Sequence, residues 1–230
     1  MSELKSFRKA AAAPLCGTVC ILCAVLLSKK SYTLSSLIIA TVSCAGFAMS
    51  FERRRVSSRY AVLLAVMTAL SVAGRFIFAP IPAFKPVTAM VIISGMYLTA
   101  QGGFLTGALT ALISNIYFGH GAWTPFQMLA WGLIGFIAGI LSYPLKRSKL
   151  ILLVYGAMSG VFYSLVADVW TVIWYNGSFS PELYKAAVIS SLPFTAVYAV
   201  SNVIFLFLIS DSFGRKLSRA SVLIERQAGK

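Results

Sequence analysis

Arg75 and Asp168 are the residues hardest to accommodate in this chain, because each stands inside a long apolar stretch. A charge taken out of water is costly unless it is paired or faces a polar cavity. Such a pair can fix the polar groups of a solute, or one member can carry a proton against the other as counter-charge. Thr171 and Tyr175 lie at i+3 and i+7 from Asp168 and continue its helical face. Trp170 and Trp174 point elsewhere and fit an interfacial aromatic belt as readily as a binding platform. Gln127 and Trp131 share a face at i, i+4, and a polar group beside a flat ring suits a ligand that is partly aromatic or partly apolar.

Other reactive residue types lead away from catalysis. Cys16, Cys20 and Cys23 form one stripe with Cys44 on the next apolar run, but no His or carboxylate lies there to complete a coordination sphere. Packing explains them, so neither a metal site nor a disulfide framework is expected. His120 is the one histidine in the sequence and has no evident nucleophile or metal to serve, so hydrogen bonding or solvent exposure is expected rather than general-base work. No Gly-x-x-x-x-Gly-Lys-Ser/Thr run exists, so the chain offers no phosphate loop for ATP. Neither enzymatic activity nor a cofactor is expected.

The elements carrying these residues must be membrane helices. Hydrophobic residues make up 59% of the 230 and charged residues 11%, too little polarity to coat a water-exposed globule. The mean hydropathy is +0.84. A helix crossing the hydrocarbon needs about 20 mainly apolar residues. On that basis eight spans are expected, at about 14–28, 34–51, 60–79, 87–100, 103–118, 127–143, 150–176 and 186–210. Arg75 and Asp168 then lie ~6 Å and ~10 Å below the outer helix ends, at ~1.5 Å per residue.

The net charge of +14 would suit nucleic acid in a soluble chain, but its placement is topological. Lys5, Arg8 and Lys9, then Arg53, Arg54, Arg55 and Arg59, then Lys146, Arg147 and Lys149, and finally Arg215, Lys216, Arg219, Arg226 and Lys230 fall on one side. Lys29, Lys30, Lys85 and Lys185 fall on the other, which puts both termini in the cytoplasm and excludes nucleic acid as a partner. No small-x-small cleavage site precedes Lys29, so the first apolar run reads as a retained anchor. The expected fold is an all-α polytopic bundle. Its divisions are an amino-terminal transmembrane hairpin (1–51), a basic linker (52–58), a six-helix core (59–210) and a basic tail (211–230).

Polar and aromatic residues gather at the outer helix ends of the core, and the segment 115–127 reads as a structured gate built on Gly119, Gly121, Thr124 and Pro125. Three small-residue stripes have helix-contact spacing. Gly103/Gly107/Ala111 and Gly156/Gly160/Ser164 are expected to pack internally, whereas Ala61/Ala65/Ala69 is open to either an internal neighbour or a separate subunit.

The core resembles the substrate-binding S components of energy-coupling factor (ECF) vitamin transporters. The likeness is carried by Phe84-Lys85-Pro86-Val87-Thr88-Ala89, by Gly102-Gly103-Phe104-Leu105-Thr106-Gly107-Ala108-Leu109-Thr110-Ala111 and by Gly119-His120-Gly121-Ala122-Trp123-Thr124-Pro125-Phe126-Gln127-Met128. It implies a multi-pass protein of a prokaryotic plasma membrane that captures a vitamin outside and associates with a transmembrane coupling subunit and two cytoplasmic ATPases. It also implies that Ala61, Ala65 and Ala69 contact the coupling subunit. Under the resemblance, Arg75, Lys85, Asn115, His120, Gln127, Asp168 and Thr171 would hold polar groups of the cargo, with Trp123, Trp131 and Tyr175 covering a ring. The resemblance leaves the vitamin open, since S components with this scaffold bind thiamin, riboflavin, biotin or folate; it leans towards a corrinoid. The hairpin 1–51 departs from the family's six spans. The alternative is an ion-gradient permease with Asp168 as proton carrier and Arg75 as counter-charge, although no inverted repeat with paired broken helices is evident.

Overall fold

The computed structural model describes residues 58–121 and 123–228, with side chains as far as residue 220. Within them the chain forms α1 (Ser58–Ile77), α2 (Val87–Tyr97), α3 (Ala100–Phe118), α4 (Trp123–Ile140), α5 (Ser142–Arg147), α6 (Lys149–Asn176) and α7 (Pro181–Ala228). There is no strand among the described residues. The expected hairpin, nearly all of the linker and the four cysteines lie outside them.

Four helices, α1, α4, α6 and the 181–220 part of α7, are long and apolar enough to cross a membrane. Helices also occupy the two remaining stretches expected to cross. α2 has 11 residues, about 16 Å of helix at the usual rise. α3 has 19, but carries a polar row along one side. Thr106, Thr110 and Ser114 recur every four residues, and each hydroxyl donates to the carbonyl one turn back, at 2.9, 2.6 and 2.6 Å. Those bonds satisfy hydroxyls that would otherwise be stranded in the bundle.

α2 is the axis of the bundle. Every residue from Val87 to Met96 is buried, as expected of a helix apolar all round. α1, α3, α4 and α7 pack around it and α6 touches it, while α3 lies against α4 and α6 against α7. Glycine permits the tightest of these approaches. A side chain on Gly95, Gly103 or Gly135 would strike backbone of the facing helix, as would one on Gly107 or Gly160. Both glycine stripes are therefore internal contacts. The alanine stripe is not: Ala61, Ala65 and Ala69 are exposed along α1.

The expected gate at 115–127 is mostly helix. α3 runs to Phe118 and α4 begins at Trp123, leaving a turn of four residues around Gly119, where φ is 95°. Pro125 fits the first turn of α4, where its missing N–H costs nothing. Thr124 is itself helical, and its hydroxyl accepts from the Gly121 N–H at 3.4 Å.

Candidate substrate-binding site

Arg75 ends α1 with its guanidinium turned into the bundle rather than towards headgroups. Its Nη1 donates to the Asn115 Oδ1 at 2.8 Å and also to the Ser114 hydroxyl. Asn115 Nδ2 donates onward to Thr124 Oγ1 and Gln127 Oε1, both at 2.8 Å. Gln127 Nε2 reaches the Tyr163 hydroxyl at 3.2 Å. Tyr163 stacks on Trp131 with ring centroids 5.0 Å apart and planes 12° from parallel. The Trp131 ring lies 5.2 Å from the Arg75 guanidinium, which also sits 4.7 Å from Phe118. The contacts close into a circuit through α1, α3, α4 and α6, so four helices hold one another's polar groups in register.

A cleft of about 210 Å³ opens beside this circuit, between the start of α4 and the last turns of α6. Trp123, Phe126 and Trp170 form its aromatic walls, and Gln127, Tyr163 and Thr171 supply its polar groups. The Trp170 ring lies 6.2 Å from Trp123 and 5.8 Å from Phe126. Flat ring walls above a few fixed donors and acceptors form a site for a planar, polar-edged molecule.

Lys85 approaches from the α1–α2 loop, its Nζ 5.7 Å from the Phe118 ring that also faces Arg75. The loop is held by Ser201 of α7, which accepts the Lys85 N–H at 3.0 Å and donates to its carbonyl at 3.2 Å. Phe78, Phe84 and Phe205 pack together beneath it. Partial burial, and secondarily the charge of Arg75, hold the Lys85 pKa below the usual lysine range. Among the described residues the salt bridge is Lys149–Asp211, so Arg75 has neutral partners.

Arg75 and Asp168 do not pair. Asp168 is buried in the α6–α7 seam, where its Oδ2 accepts from the Ser191 hydroxyl at 2.7 Å, near the Ser164–Thr195 contact at 2.6 Å. The cleft face of α6 is instead Tyr163, Ala167, Trp170 and Thr171. Asp168 follows Ala167 by one residue, which turns it about 100° away. Tyr175, expected on the same face as Asp168, is 84% exposed beyond the cleft. His120 is exposed in the turn, its Nδ1 3.5 Å from Thr124 Oγ1. Arg75, Asn115, Gln127 and Trp131 are thus brought together, and Trp123 and Thr171 join Gln127 at the cleft. Sequence reasoning named Thr124 only as part of the gate, missed Ser114, Phe126 and Tyr163, and left Trp170 open between an aromatic belt and a binding platform. The signal for Tyr163 and Trp170 was their i, i+7 spacing with Ala167 between them.

These features define a multi-pass helical membrane protein with a small aromatic cleft at one end of its bundle. A family model described as ECF-type riboflavin transporter, S component, matches residues 55–213. The chain belongs to that family, one of transporter components rather than enzymes. Neither a curated protein nor a solved structure matches it with significance.

Proposed function

We propose that this chain captures a flavin-type vitamin, riboflavin or a close relative, at the outer face of a prokaryotic plasma membrane. The observation that carries the reading is the aromatic cleft set directly against the Arg75–Asn115–Gln127–Tyr163 chain. An isoalloxazine ring is flat, apolar on its faces and edged with carbonyl oxygens and ring nitrogens, which suits ring walls with amide, phenol and guanidinium groups at their base. The matched family's description names riboflavin and lends no support to the corrinoid favoured from the sequence.

Under this reading 59–210 is a six-helix membrane core, the amino-terminal hairpin brings the crossings to eight, and both termini are cytoplasmic. A transmembrane coupling subunit docks on Ala61, Ala65 and Ala69, which border an almost wholly apolar groove of about 520 Å³ between α1 and α3. ATP is hydrolysed by two partner subunits. Of the residues expected to bind, Arg75, Lys85, Asn115, Trp123, Gln127, Trp131 and Thr171 keep that role in this proposal, while His120, Asp168 and Tyr175 do not.

Titration of the purified chain with riboflavin tests the reading, since stacking against Trp123 and Trp170 quenches flavin emission. Saturable, equimolar quenching that cyanocobalamin and thiamin do not reverse is the expected result. Preferential binding of cyanocobalamin overturns the flavin assignment. Proton-driven uptake into liposomes by this chain alone overturns the S-component mechanism in favour of a permease.

A further inference from the structure

We propose that the opposite end of the bundle carries a binding site for the phosphate headgroup of an anionic phospholipid. The site is a cleft of about 440 Å³ where α2 ends, α5 crosses, α6 begins and α7 passes. It is unconnected with the cargo site, which lies at the other end of α6. Lys146, Arg147 and Lys149 line it with one carboxylate, Asp211. That carboxylate is taken: Lys149 Nζ donates to it at 2.9 Å and to the Ser210 hydroxyl at 2.7 Å. Among the described residues Lys146 and Arg147 are left with neutral partners. The Lys146 ammonium sits 4.5 Å from the Tyr97 ring, and Arg147 Nη1 donates to the Tyr143 hydroxyl at 3.0 Å.

Among the described residues, two cations without a carboxylate partner therefore face one cleft, and the positive end of the 28-residue helix α6 adds to their field. A planar guanidinium beside an ammonium matches a phosphodiester, the first by paired donation and the second as a point charge. The apolar part of the cleft selects an amphiphile over a free anion. Phe207, 61% exposed, forms one wall, and Met96, Leu145 and Leu152 line the rest of its apolar part. An acyl chain can run over Phe207 while the phosphate rests on Lys146 and Arg147. Basic clefts between membrane helices favour anionic headgroups for these reasons.

Native mass spectrometry of the full chain, titrated with phosphatidylglycerol or phosphatidylcholine of identical acyl chains, reads the site directly. Phosphatidylglycerol is expected to stay bound where phosphatidylcholine leaves. The double variant Lys146→Gln/Arg147→Gln should lose about twenty-five-fold in phosphatidylglycerol affinity, at ~1 kcal/mol or about fivefold per basic residue. Arg215→Gln/Lys216→Gln, which removes exposed cations of α7 outside the cleft, should retain it. Thermal melts of both variants establish that each is folded. Equal loss in both variants means diffuse charge attraction and overturns the proposal, as does retention by the first. Displacement of the lipid by inorganic phosphate at the same concentration assigns a free-phosphate site instead. A chain that binds neither lipid but needs Lys146 and Arg147 to assemble with its coupling module overturns it in favour of a protein partner.

Discussion

Trp131 lies between Tyr163 and Arg75, stacked on the phenol at 5.0 Å and facing the guanidinium at 5.2 Å. One indole thus joins the cleft's polar base to the buried cation at the end of α1. Under the proposed reading, a ligand that displaced Tyr163 would also shift the electrostatic environment of Arg75, beyond the side chains lining the cleft.

Tyr163→Phe keeps the ring stack and removes the hydroxyl that Gln127 donates to. Leaving one polar group at the cleft unpaired costs about 1 kcal/mol, roughly fivefold in Kd. Trp131→Leu removes both the stack and the cation contact and should weaken binding further. Riboflavin titrations that give unchanged Kd for both would detach the circuit from recognition.

Arg75→Lys keeps the charge but not the geometry. The guanidinium serves Ser114 and Asn115 from one nitrogen while lying against Phe118 and Trp131; an ammonium could make both donations but on a different reach and without the planar stacking. Thermal melts should show Arg75→Lys less stable than the parent, and Arg75→Met lower still, because truncation leaves Asn115 Oδ1 buried without its donor. Equal melting of all three proteins would contradict this account.

Asp168→Asn and Trp170→Ala separate the seam from the cleft. Asp168 bonds Ser191 across α6 and α7, whereas Trp170 forms a cleft wall. Asp168→Asn should leave flavin affinity unchanged. Trp170→Ala removes an aromatic wall and should cost at least about 1.4 kcal/mol, or tenfold. The reverse ranking would place the cargo between α6 and α7.

Much of the helix layout was legible because apolar run length and breaker residues act locally. Arg75, Asn115, Gln127 and Trp131 were also legible as a polar and aromatic group at one end of the core. Their closure into a circuit was not, because it needs Tyr163, and a tyrosine in a long apolar run reads as core. Asp168 was assigned to the cleft because an acid in a greasy helix demands a partner, and sequence could not reveal that Ser191, 23 residues on, supplies it. The helix content of 115–127 was not legible for a different reason. Gly119 and Pro125 mark helix ends without fixing the length of chain between them, and the turn proved short.

Gly135→Val tests the central packing. Gly135 faces Gly103 backbone and the Val91 side chain, so branched carbons there must push α3 and α4 apart around α2. Overpacking a filled core costs ~1–3 kcal/mol. The melting temperature should fall by several degrees, with flavin affinity falling too because Gln127 and Trp131 ride on α4. An unshifted melt would mean that the helices part more easily than their contacts imply.

Ala65→Trp addresses the exposed stripe of α1. Ala61, Ala65 and Ala69 contribute nothing bulky to the bundle, so an indole at the middle position projects outward and leaves the cleft intact. Small residues at four-residue spacing let another helix approach closely, and a single large side chain blocks that approach. Co-expressed with a coupling subunit and its ATPases, the variant should fail to co-purify while still quenching riboflavin like the parent. Loss of both properties would mark Ala65 as structural. Retention of both would mean that the partner docks on another face of the bundle.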